Sequence, residues 1–139
     1  LTGHTYCNTV IPVDTSVPQN TEGNEIITVT ITPKSSTSKL IVEALVFVGS
    51  VSGSTSYASL ALFKDSDASA VAAGTVRLQA GNNDMLPLAY FMTSGTTSAI
   101  TFKLRCGPAA SGNISVNGFG GDNYFGSAGF SSLRVMEVA

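Results

Sequence analysis

Acid–base or nucleophilic catalysis needs an arranged group of titratable side chains, and this chain offers few of them. Its single histidine is His4, and its closest carboxylates are Asp65 and Asp67 in the stretch KDSDAS. Histidine is the usual general acid or base, with paired carboxylates as the substitute. Because KDSDAS follows an apolar run, its two aspartates are read as turn residues that cap backbone amides. The loop carries too few oxygen donors for calcium. A nucleophile elbow, a phosphate-cradling glycine loop and zinc-type Cys and His spacings are all missing. The expectation is a protein that is not an enzyme and uses no cofactor or metal.

The two cysteines, Cys7 and Cys106, are too few for a disulfide framework. Cys106 is in phase with Ile100, Phe102 and Leu104, so it is expected to point inward, whereas Cys7 has no clear phase. Buried free thiols are the expected state, since free Cys behaves as a small apolar residue. A bridge would instead close a loop of about 100 residues. Asn113, Ile114 and Ser115 match a glycosylation acceptor, but such matches arise often by chance and no role is assigned.

Binding chemistry is concentrated in Gly118 to Gly129, GFGGDNYFGSAG, where flat apolar rings stand beside short hydrogen-bonding side chains. A pyranose presents an apolar face and a hydroxyl rim, so Phe119, Asp122, Asn123 and Tyr124 are candidate carbohydrate contacts. Asn82, Asn83 and Asp84 form a second, weaker candidate. For Phe125 and Phe130 the expected role is structural, folding back to plug one end of the domain while the glycines permit the turn.

The elements that must position these residues are strands. No window carries apolar residues at helical spacing free of glycine or β-branched crowding. Alternation dominates: Ile100, Phe102, Leu104 and Cys106 share one face while Thr101, Lys103 and Arg105 share the other, and Ile27, Val29 and Ile31 alternate with threonines. Tyr57 to Lys64, Met85 to Thr93, Asn113 to Asn117 and Ser131 to Val138 complete the set. Gly, Ser, Asn and Asp clusters separate them, with hairpin loops expected at Ser50 to Ser56, Lys64 to Ser69 and Ala80 to Asp84. Short strands at this spacing predict an all-β fold, an antiparallel β-sandwich of the jelly-roll kind. Residues 1–22, with Pro12 and Pro18, read as an extended arm or edge strand leading in from upstream chain, and 23–139 as one sandwich domain.

Of the 139 residues, 12% are charged, about half the usual 25%. Ser and Thr number 33. The formal net charge of −2 has no basic stripe, which argues against nucleic acid. The longest apolar run, Leu40 to Val48, is far short of the roughly 20 residues of a membrane helix, so no membrane insertion is expected. That run is apolar on both faces, Glu43 excepted, with Leu40, Val42, Ala44, Val46 and Val48 on one side and Ile41, Leu45 and Phe47 on the other. The second face of a two-layer sandwich meets water. Ile41, Leu45 and Phe47 are therefore expected at a subunit interface, with a covering loop as the alternative.

Three stretches carry a resemblance. VDTSVPQNTEGNEIITVTITPKSSTSKLIVEALV (Val13 to Val46) resembles the opening of a β-sandwich domain at the C-terminal end of bacteriophage tail fibres and tailspikes. SLALFKDSDASAVAA (Ser59 to Ala73) is similar to a hairpin of that family, and ISVNGFGGDNYFGSAGFSSLRVMEV (Ile114 to Val138) to its ending. The resemblance implies a homotrimeric receptor-binding module at the distal end of a fibre or spike in the virion. Such a module attaches to host surface polysaccharide or glycan without catalysis. The alternative is a trimerisation cap or capsid decoration module with no ligand.

Overall fold

The computed structural model describes residues 1–51 and 56–139. The expected hairpin loop at Ser50 to Ser56 falls largely on 52–55, outside the described residues. The fold is all-β and antiparallel, as the alternation predicted. Its strands are β1 (Thr5–Cys7), β2 (Asn24–Ile31), β3 (Lys39–Ser50), β4 (Ser56–Lys64), β5 (Ala72–Leu78), β6 (Asn83–Thr93), β7 (Ile100–Pro108), β8 (Ile114–Val116), the two-residue β9 (Gly118–Phe119) and β10 (Asp122–Asn123), and β11 (Ser132–Val138). A short 3₁₀ segment covers Tyr124–Ser127.

One sheet runs β1–β8–β3–β6 and the other β2–β7–β4–β5. Both orders are those of a long antiparallel ribbon, β1 with β8 through β4 with β5, rolled over on itself, which is a jelly roll. Strand β11 joins the first sheet beside β3, on the same flank as β8: it pairs with Lys39 to Leu45 while β8 takes Val48 to Ser50. β3 is thus the central strand, with β6 along its whole other side. Strand β5 was not among the expected strands, because Ala72, Ala73 and Gly74 have weak strand propensity. Its full pairing to β4, from Leu62↔Ala72 to Ser56↔Leu78, holds it in the sheet.

The core lies between the sheets. Leu40, Val42, Val46 and Val48 of β3 face Leu60, Leu62, Phe102 and Leu104, all at most 1% exposed. Fully burying side chains of this size contributes roughly 1.5–3 kcal/mol each. The strand sealed on both faces is β4 rather than β3. Ala58, Leu60 and Leu62 fill the main core, while Ala61 and Phe63 lie under the N-terminal arm against Ile11. Backbone bonds tie that arm down: Ile11 N–H to Pro108 C=O at 2.9 Å, Ala70 N–H to Pro18 C=O at 2.9 Å, and Asn20 N–H to Ala68 C=O at 2.8 Å. The Arg105 guanidinium adds bonds to the carbonyls of Glu22 and Gly23 at 2.6 and 2.8 Å. The covering segment expected as the alternative for β3 lies instead over β4 of the other sheet.

Candidate functional site

The second face of β3 is largely open. Across it, register places Phe91 opposite Ile41 on one side and Met136 opposite Ile41 on the other, a row over three strands. Phe91 is 66% exposed and Met136 40%, with Ile41 half-buried between them. Leu45 stands opposite Pro87, and Phe47 opposite Met85. Between the two ends of this face lies the cross-strand pair Glu43 and Arg134, whose guanidinium meets one carboxylate oxygen at 2.5 and 2.8 Å. Of the residues expected at a subunit interface, Ile41 and Leu45 lie on this open surface, and Phe47 is half-buried beneath the glycine-rich loop. Phe91, Met136 and Met85 were missed by sequence reasoning. The available signal was that β6, like β3, is apolar on both faces, with Leu86, Leu88, Tyr90 and Met92 facing in and Met85, Pro87, Ala89 and Phe91 facing out.

At the far end of β3, Gly49 lets two loops meet. A Cβ there would collide with Asn83 Oδ1 and come within 2.7 Å of the Gly118 carbonyl. The two candidate carbohydrate clusters, Asn82 to Asp84 and Phe119 to Tyr124, are therefore brought to one end of the sandwich, on either side of Gly49. Most of these residues are engaged in the fold. The Asn123 side-chain carbonyl accepts the His4 backbone N–H. His4 stacks edge-on to Tyr6 at 4.4 Å between ring centroids. Tyr124 is packed among Phe47, Phe119 and Phe125 at 6.1–6.4 Å. Asp84 accepts the Met85 amide at 2.8 Å, and the Asn82 carbonyl accepts the Ser50 amide at 3.0 Å. Asn83, half-buried in β6, turns its Oδ1 to Gly49 without a hydrogen bond. Asp122 is exposed.

Phe125 and Phe130 do not plug the sandwich. They are 79% and 58% exposed. The reason is backbone: Phe125 (φ 53°), Gly126 (φ 59°) and Ser127 (φ 73°) form a left-handed run that turns the chain outward rather than back over the core. With Phe47, Met85, Ala128 and Gly129 they line an apolar groove of about 260 Å³ that continues the open face of β3.

Titratable groups serve the fold. Asp65, at φ 52°, accepts the Thr101 amide at 2.8 Å and pairs with Lys64 at 2.9 Å. Burial works against its charge, but these partners outweigh it and hold its carboxyl below the ordinary range. The hydrogen bond to Asp65 holds the Lys64 ammonium above its own. Glu137 accepts the Lys34 and Ser35 amides at 2.8–3.2 Å together with the Ser38 hydroxyl, and this nest, the hydroxyl first, lowers its carboxyl. No group of three or more His, Cys, Asp or Glu side chains among the described residues is placed to hold a metal.

A jelly roll whose titratable groups cap turns and whose open feature is an apolar sheet face places the chain among β-sandwich modules. The chain belongs to the family of the Pgp3 C-terminal domain, a domain of a chlamydial virulence protein, whose model matches residues 1–139. That family is non-enzymatic. No curated protein matches the chain.

This membership overturns the resemblance to phage tail fibres, and with it the host-attachment role and the place at the distal end of a virion. The physical reason lies in what the resembling stretches encode. In this chain the proline-bearing arm, the threonine-rich strand, the KDSDA turn and the base of the glycine-rich ending serve the fold. Fold-level likeness does not carry function.

Proposed function

We propose that this domain is a non-catalytic assembly module that closes a homotrimer through the outer face of its five-stranded sheet. The observation that carries the reading is the row Phe91, Ile41 and Met136, which sets large apolar side chains toward solvent across three paired strands. Contiguous apolar patches on a solvent face mark association surfaces. The two ends of the face differ: one is the flat row, the other the aromatic-walled groove of Phe47, Met85, Phe125 and Phe130, with the Glu43–Arg134 pair between them. The row of one copy can seat in the groove of its neighbour, and taken head to tail that contact closes into a ring, of which three copies is the smallest. The low charge content of the chain supports the same reading, and the ions between the two ends of the face, Glu43 and Arg134, are already paired with each other.

Light scattering and sedimentation on the wild type, Phe91→Glu and Phe130→Glu test the proposal. The expected result is three chain masses for the wild type and one for each variant, with unchanged strand content by circular dichroism. A wild type that stays monomeric at high concentration, or one that stops at a two-fold dimer, overturns it.

A further inference from the structure

We propose that Cys7 and Cys106 are a disulfide-forming pair that latches the N-terminal strand β1 onto β7 of the opposite sheet when the protein meets a small-molecule disulfide. The two residues stand about 100 positions apart in the chain and come together only through the roll of the ribbon. Both side chains are wholly buried in the main core, and β1 and β7 approach within 8 Å between Cα atoms. The two thiols are free, and the Cys7 side chain lies near enough to act on the Cys106 thiol. A disulfide holds its Cα atoms about 4.4–6.8 Å apart, a range next to the approach of these two strands.

The closed core keeps the pair inert. The neighbouring Cys7 side chain, then burial, pushes the Cys106 thiol well above its ordinary range, and a protonated thiol is a poor nucleophile. Access comes through β1. It is three residues long, sits at the edge of its sheet and, among the described residues, pairs only with β8. Short edge elements open at a fraction of the cost of global unfolding. Opening exposes Cys7, whose thiolate attacks a sulfur of the disulfide RSSR, forming Cys7–S–S–R and releasing RS⁻, which protonates to RSH. When β1 redocks, Cys106 gives up its proton and its sulfur attacks Cys7 Sγ. The Cys7–Cys106 bond forms and the second RSH leaves. Two protein thiols are oxidised and one RSSR is reduced to two RSH.

The bond would close nearly three quarters of the chain into one loop, spanning every strand from β2 to β7. Its effect falls on the unfolded state, where loop-closure entropy is lost. The folding equilibrium constant is expected to rise by between about tenfold and a thousandfold.

The test exposes the full chain to glutathione disulfide in sub-denaturing urea, where amide exchange reports β1 opening, followed by removal of the urea. The expected product is two hydrogens lighter, carries no glutathione, resists alkylation after denaturation and gives a Cys7–Cys106 peptide on mapping. Its urea midpoint rises and returns to the starting value with dithiothreitol. Cys106→Ser is expected to stop at a stable glutathione adduct on Cys7. Two free thiols or a glutathione adduct on the wild type, under conditions in which β1 exchanges, overturns the proposal, as does a bridge that leaves the midpoint unmoved. The wild-type mass and map decide the matter even where the serine variant fails to fold.

Discussion

Ser131 donates its hydroxyl hydrogen to the Asn117 side-chain carbonyl at 2.7 Å, and both residues are at most 1% exposed. The pair flanks the glycine-rich loop, Asn117 just before Gly118 and Ser131 just after Phe130, so one buried hydrogen bond closes the loop's base. Asn117 also donates through Nδ2 to the Leu1 and Gly3 carbonyls at 3.0 and 3.2 Å, while Ser131 Oγ accepts the Phe47 amide at 3.1 Å. The N-terminus, the central strand and the loop meet at these two side chains.

Asn117→Ala is expected to lower stability by about 2–4 kcal/mol, since it strands buried polar partners and places alanine at φ 60°. Asn117→Gly keeps the backbone conformation and is expected to recover part of that loss. Urea unfolding of the two variants beside the wild type checks both the size and the order.

Gly49→Ala is expected to destabilise by roughly 1–3 kcal/mol, the usual cost of overpacking, because its Cβ meets Asn83 Oδ1 and the Gly118 carbonyl. Asn83→Gly in the same background removes one of the two obstacles and is expected to restore part of the stability. A double-mutant cycle in urea measures the coupling.

Ile11→Ala is expected to cost about 2–5 kcal/mol, a core-sized penalty for a residue of the N-terminal arm, because Ile11 is 1% exposed against Phe63 and Ala61. An exposed arm residue such as Val13→Ala is expected to change stability by less than about 0.5 kcal/mol. Thermal unfolding of the two variants separates a docked arm from a loose one.

The lowered Glu137 carboxyl makes the Lys34 to Ser38 turn acid-labile. A carboxylate whose folded pKa lies below its unfolded value stabilises fully above the unfolded value, here near 4.5, and that contribution is lost as pH falls through the folded one. Glu137→Gln removes this term, so its melting temperature is expected to lie below the wild type's at neutral pH and to converge with it in strong acid. Melting curves from pH 7 to pH 2 test the sign.

The sequence by itself determined the fold class, the inward set on β3 and β7, and the turn chemistry at Asp65. These follow from side-chain alternation and from residues that tolerate tight turns, both local properties of the chain. It also made legible that one strand was apolar on both faces. What covers a second face depends on which distant segment arrives there, and only the tertiary structure decided that the arm seals β4 while Ile41 of β3 stays half open beside Phe91 and Met136. The outward course of Phe125 and Phe130 was hidden for a related reason: the left-handed run Phe125, Gly126 and Ser127 holds two non-glycine residues in a conformation their types do not announce. The meeting of Cys7 with Cys106, about 100 residues apart, likewise had no local signal. Burial and register are set by the rolled ribbon as a whole, and a strand's own alternation records only its nearer face.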